Sequence, residues 1–74
     1  MSEYGVALFH TTSSAQRAEK VTCYAGLKVK LIPTPREFSS DCGMALRFNW
    51  TDEEEVQAAL ASARIEFSQI RRMG

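Results

Sequence analysis

The sequence predicts an α+β sandwich of element order βαββαβ, with two helices covering one face of a four-stranded antiparallel sheet. Three observations predict it. Short segments with a two-residue apolar alternation bracket two segments whose apolar residues recur every three or four positions. Each of the latter opens on residues suited to a helix N-terminus. Glycine and proline punctuate the junctions between them.

The first strand spans residues 4–9, with Tyr4, Val6 and Leu8 on one face and Ala7 and Phe9 on the other. After His10, the run Thr11-Thr12-Ser13-Ser14 offers hydroxyls to free helix amides. Ser13 and Gln16 have capping-box spacing, so a helix is expected to begin near Ser14. Its buried stripe is Ala15, Ala18, Val21, Thr22 and Ala25, and Gly26 terminates it. A second strand at residues 28–33 buries Val29 and Leu31 until Pro33 and Pro35 end it. A polar loop at 34–41 leads into a third strand, where Met44, Leu46 and Phe48 alternate with Ala45, Arg47 and Asn49.

Thr51 and Glu54 repeat the capping-box spacing, and the acidic run Asp52-Glu53-Glu54-Glu55 suits the positive end of a helix dipole. It reads as a helix start, not as a metal site. Val56, Ala59, Leu60 and Ala63 supply the second buried stripe, and residues 65–71 form the last strand. The ferredoxin-like arrangement of such elements has strand order 4132, which makes strands one and three antiparallel neighbours. His10 and Cys42 are then expected at one sheet edge together with the start of the first helix. The alternation further places both side chains toward the helices, His10 in phase with Val6 and Leu8, and Cys42 in phase with Met44 and Leu46. The open face would carry Ala7, Phe9, Ile32, Ala45 and Ile70, apolar enough to suggest a homodimer.

Composition narrows the function. A chain of 74 residues holds one core, so residues 1–74 are read as one domain. Nine acidic and nine basic residues cancel, leaving no net field for nucleic acid or an anionic membrane. No apolar run approaches the roughly 20 residues of a membrane span, and the first residues lack the pattern of a secretory signal, so a cytoplasmic location is expected. Cys23 and Cys42 then read as free thiols. Their spacing with the lone His10 fits no zinc site, and the scattered glycines form no phosphate loop, so neither a metal nor a cofactor is expected.

The segments Phe9-His10-Thr11-Thr12, Ala18-Glu19-Lys20, Leu31-Ile32-Pro33-Thr34-Pro35-Arg36, Ser39-Ser40 and Cys42-Gly43-Met44-Ala45-Leu46-Arg47-Phe48 cover nearly the whole chain. Together they resemble a bacterial and archaeal family of small domains described as putative selenium/sulfur carrier-like proteins. The resemblance implies a thiol that holds sulfur or selenium as a persulfide or selenosulfide and passes it on. It also implies separate donor and acceptor proteins, because the sulfur-transfer-like domain joined to some relatives is not in this sequence.

Cys42 is the expected carrier. A free thiol is mostly protonated at neutral pH, so its anion needs support. The start of the first helix, His10 and Arg36 are the candidates, with Gly43 leaving the backbone open to an attached atom. Thr11, Thr12, Ser39 and Ser40 are further hydroxyl donors, each with an alternative use as a cap. Arg47, pointing away from the helices, suits a partner contact, and Cys23 reads as a spare thiol. A carrier protein fits these residues better than a stand-alone enzyme. The competing readings are a non-catalytic protein- or anion-binding regulatory module and a thiol redox sensor.

Overall fold

The computed structural model describes residues 3–38 and 43–73. The elements follow the expected order: β1 (Tyr4–Leu8), α1 (Thr12–Tyr24), β2 (Val29–Pro33), β3 (Met44–Asn49), a 3₁₀ turn (Trp50–Asp52), α2 (Glu53–Ser62) and β4 (Gln69–Met73). The four strands form one sheet in the order β2-β3-β1-β4, which is 4132 read from the other side. All neighbours are antiparallel, with Ala7 opposite both Leu46 of β3 and Ile70 of β4. Both helices pack on one face, giving a two-layer α+β sandwich. Among the described residues, no helix is long and apolar enough to cross a membrane.

The facing of β1 is the main departure from expectation. Ala7 and Phe9 pack with Leu46, Phe48, Ala15, Ala18, Val56 and Leu60 in the helix-side core, and Ile70 joins them. Val6 and Leu8 lie on the other face, with Ala45, Ile32, Phe38 and Met73. The open face therefore does not carry Ala7, Phe9 or Ile70; of the five residues expected there, only Ile32 and Ala45 remain. Val6 and Ala45 are 0% exposed even so. Phe38 folds back over them, and the guanidinium of Arg71 sits 5.7 Å from its ring centroid. The homodimer expected through this face loses most of the residues on which it was argued.

Local chemistry explains the helix ends. Thr11, not Ser13, caps α1: its Oγ1 accepts from the Ser14 amide at 3.1 Å, so the helix begins two residues before Ser14. At the other end, Gly26 donates to the Cys23 carbonyl and Leu27 to that of Thr22, both at 3.0 Å, with Gly26 at φ +84°. That is a Schellman closure, and glycine relieves its left-handed residue. Within α1, buried Thr22 satisfies its hydroxyl by donating to the Ala18 carbonyl at 2.8 Å.

α2 ends by the same pattern, with Arg64 donating to Ala61 and Ile65 to Leu60, but here Arg64 occupies the left-handed position at φ 56°. The start of α2 differs from the expected Thr51–Glu54 box, because Thr51 lies inside the 3₁₀ turn and Asp52 makes no side-chain cap. The three glutamates of the first turn still complement the helix dipole. β4 begins at Gln69, later than expected. Ile65 is drawn into the core instead of the ladder, and the Ser68 amide makes the first bond back to the Leu8 carbonyl.

Gly5 sets the packing at the Trp50 end of the sheet. A Cβ there would fall 2.6 Å from the Trp50 ring and 2.8 Å from Phe48, whose rings are stacked with centroids 6.3 Å apart. The Trp50 amide donates to the Glu3 carbonyl, and Arg72 covers the indole while pairing with Glu3. Gly5→Ala is accordingly expected to lower stability by about 1–3 kcal/mol, the usual range for overpacking, as a reduced urea midpoint. The two helix ends make an opposite pair of expectations. Arg64→Gly should raise stability by about 0.5–1 kcal/mol, since release of left-handed strain outweighs the added chain entropy. Gly26→Ala should lower it by a similar amount, and urea unfolding of both variants against the parent chain measures the difference.

Candidate functional site

The antiparallel register brings several of the sequence-predicted site residues to one edge of the sheet. β1 ends at Leu8, opposite Ala45 near the start of β3, and β2 ends at Pro33, opposite Met44. His10, Thr11 and Thr12 lie just beyond β1, where α1 begins. Gly43 lies just before β3, and its carbonyl accepts from the Thr34 amide at 3.0 Å, which closes the connection between β2 and β3. Arg36 belongs to the same connection, in the turn closed by the Phe38 amide donating to the Pro35 carbonyl at 3.0 Å.

Each of these residues has a definite condition. His10 is exposed, and the strand residues with which it shares a phase face away from the helices, so its expected turn toward the helix layer is not supported. The reason is that β1 is apolar on both faces, and its own alternation does not reveal which face meets the helices. Met44, Leu46 and Phe48 do face the helices, as expected. Cys42, Ser39 and Ser40 lie outside the described residues.

Thr11 is committed to the backbone: besides accepting from the Ser14 amide, its hydroxyl donates to the Ser14 Oγ at 3.0 Å. Its capping role accounts for its presence without a ligand. Arg36 is exposed, as is Gly43, and a Cβ built on Gly43 would meet open space. The glycine is therefore not demanded by packing against the described residues.

Sequence reasoning missed Phe38. It is half-buried against Val6, Leu8 and Ala45, and so pins the β2–β3 connection to the face opposite the helices. An aromatic residue inside an otherwise polar loop was the available signal. Cys23, by contrast, is exposed near the C-terminal end of α1 and lines a cleft at the other edge of the sheet, together with Lys28, Lys30 and Arg47. The two thiols of the sequence thus belong to different parts of the chain, and Cys23 takes no part in the edge that holds His10 and Gly43.

No curated protein and no solved structure gives a significant match to the chain. A family model does match, over residues 4–72, and that span runs from the first residue of β1 into β4 and includes every residue of the edge just described. With nearly its whole length matched, the chain belongs to the family described as putative Se/S carrier protein-like.

Proposed function

We propose that this chain is a sulfur or selenium carrier in the cytoplasm, holding the transferred atom on Cys42 as a persulfide or selenosulfide. The observation that carries the reading is the family match across residues 4–72. The edge geometry supports it. Cys42 is joined by one peptide bond to Gly43, which is held by Thr34 at the edge that also presents His10 and the start of α1. We also read the architecture as ferredoxin-like, on the strength of its strand order.

In this reading the Cys42 thiolate attacks the outer sulfur of a donor protein's persulfide. A new sulfur–sulfur bond forms on Cys42, and the donor's own cysteine leaves as a thiolate. Transfer to an acceptor protein repeats the exchange in the opposite sense, with the carrier thiolate now leaving. His10 removes the thiol proton, and the positive charge of Arg36 favours the anion. Thr12, Ser39 and Ser40 supply hydroxyl donors, and open space at Gly43 admits the partner. Thr11 serves the site by fixing the start of α1. The protein acts as a co-substrate between two others and needs no cofactor of its own.

Incubation with a cysteine desulfurase and cysteine, followed by mass spectrometry of the intact chain and its peptides, tests the reading. The expected product is one added sulfur on Cys42, lost in Cys42→Ser and kept in Cys23→Ser. An unmodified Cys42 would favour a non-covalent binding module, and oxygen addition by peroxide without any sulfur transfer would favour a redox sensor. Iodoacetamide should also alkylate Cys42 several-fold faster than Cys23 at neutral pH, and His10→Ala should remove part of that advantage.

A further inference from the structure

The edge of the sheet opposite His10 and Gly43 carries a charge arrangement that the carrier reading does not use. Lys30 of β2 is the direct cross-strand partner of Arg47 of β3, so two cations stand side by side on the open face. Like charges in directly opposed positions destabilise a sheet. The next cation along, Lys28, precedes β2 in the same phase as Lys30. A cleft of about 440 Å³ opens at this place, and all three cations line it. Among the described residues no acidic one lines it, although the chain as a whole has as many acids as bases. Among the described residues the ion pair found joins Glu3 to Arg72 and involves none of the three.

The cleft is also partly preorganised. Arg47 is held with its guanidinium 4.6 Å from the centroid of the Tyr4 ring, which fixes the cation without neutralising it. The amide of Asn49 adds a polar group, and the partly buried Leu27 supplies apolar wall. From this geometry we propose that the cleft is a binding site for a small organic phosphate. A group with two or more negative charges answers several cations lining one cleft, where a single carboxylate brings only one charge. The volume falls within the range of ligand clefts, roughly 300–1,000 Å³, and leaves room for an organic body against Tyr4. The like-charge pair is what such a ligand relieves: in its absence Lys30 and Arg47 repel, and its binding turns the repulsion into two charge-assisted contacts.

The test is an NMR titration of the full chain with inorganic pyrophosphate, with ADP, with sodium chloride at matched ionic strength, and with a short polyglutamate peptide. Saturable shifts confined to the amides of Lys28, Lys30, Arg47 and Asn49 are expected for pyrophosphate, with ADP binding at least as tightly. Lys30→Glu should weaken binding at least tenfold. The same variant should raise the melting temperature, because it converts the like-charge pair into an opposite-charge pair, and that gain excludes misfolding as the cause of lost binding. Cys42→Ser should bind as the parent does, so the result is independent of the carrier chemistry. Shifts spread over the other basic residues and reproduced by sodium chloride would overturn the proposal. So would unimpaired binding by Lys30→Glu, and so would a response to polyglutamate without one to pyrophosphate, which would make the surface a protein contact.

Discussion

The burial of β1 on both of its faces is the constraint from which the rest of the structure follows. Val6, Ala7 and Phe9 are 0% exposed and Leu8 only 1%, in a domain small enough that few residues can be enclosed at all. One face is closed by the helices. The other is closed by Phe38, Ile32 and Met73, with the arginine side chains of β3 and β4 lying over Tyr4 and Phe38. A strand so enclosed has to sit in the interior of the sheet, between β3 and β4, and this places the end of β1 next to the start of β3.

That placement links the fold to the candidate chemistry. The β2–β3 connection returns to the sheet at the end where the β1–α1 junction lies, because β3 pairs with β1, and the Thr34–Gly43 bond fixes that return. Phe38 contributes from the other direction, since its ring completes the second core and so ties the connection to the face away from the helices. The same short segment therefore serves stability through Phe38 and, in the proposed reading, sulfur transfer through Cys42. The cation-lined cleft lies at the opposite edge, where β1 begins and β3 ends, so the two proposed activities do not compete for the same residues.

Several features show local preference giving way to tertiary demand. Ile65 and Phe67 have strand-like alternation, yet Ile65 enters the core and the ladder starts only at Gln69. Arg64 accepts a left-handed backbone because the Ile65 amide must return to Leu60 for the chain to reverse. Gly5 gives up a side chain so that Trp50 and Phe48 can stack beside the strand.

The sequence alone determined the element order, the bounds of β3, the glycine closure after Gly26 and the helix-facing phase of β3. These are properties of single segments in which polar and apolar positions contrast: Arg47 and Asn49 mark the face of β3 that Leu46 and Phe48 do not share. The strand order also followed, because few arrangements of βαββαβ close into one sheet. The facing of β1 did not follow. Gly5-Val6-Ala7-Leu8-Phe9 contains no polar residue, so its alternation carries no sign, and only packing against the helices chose Ala7 and Phe9 over Val6 and Leu8. Likewise, no reading of single segments could bring Lys30 opposite Arg47 or carry Phe38 onto the second core. Those neighbours are 17 or more positions apart along the chain or lie on different elements, and register across strands, decided by the fold as a whole, is what makes them meet.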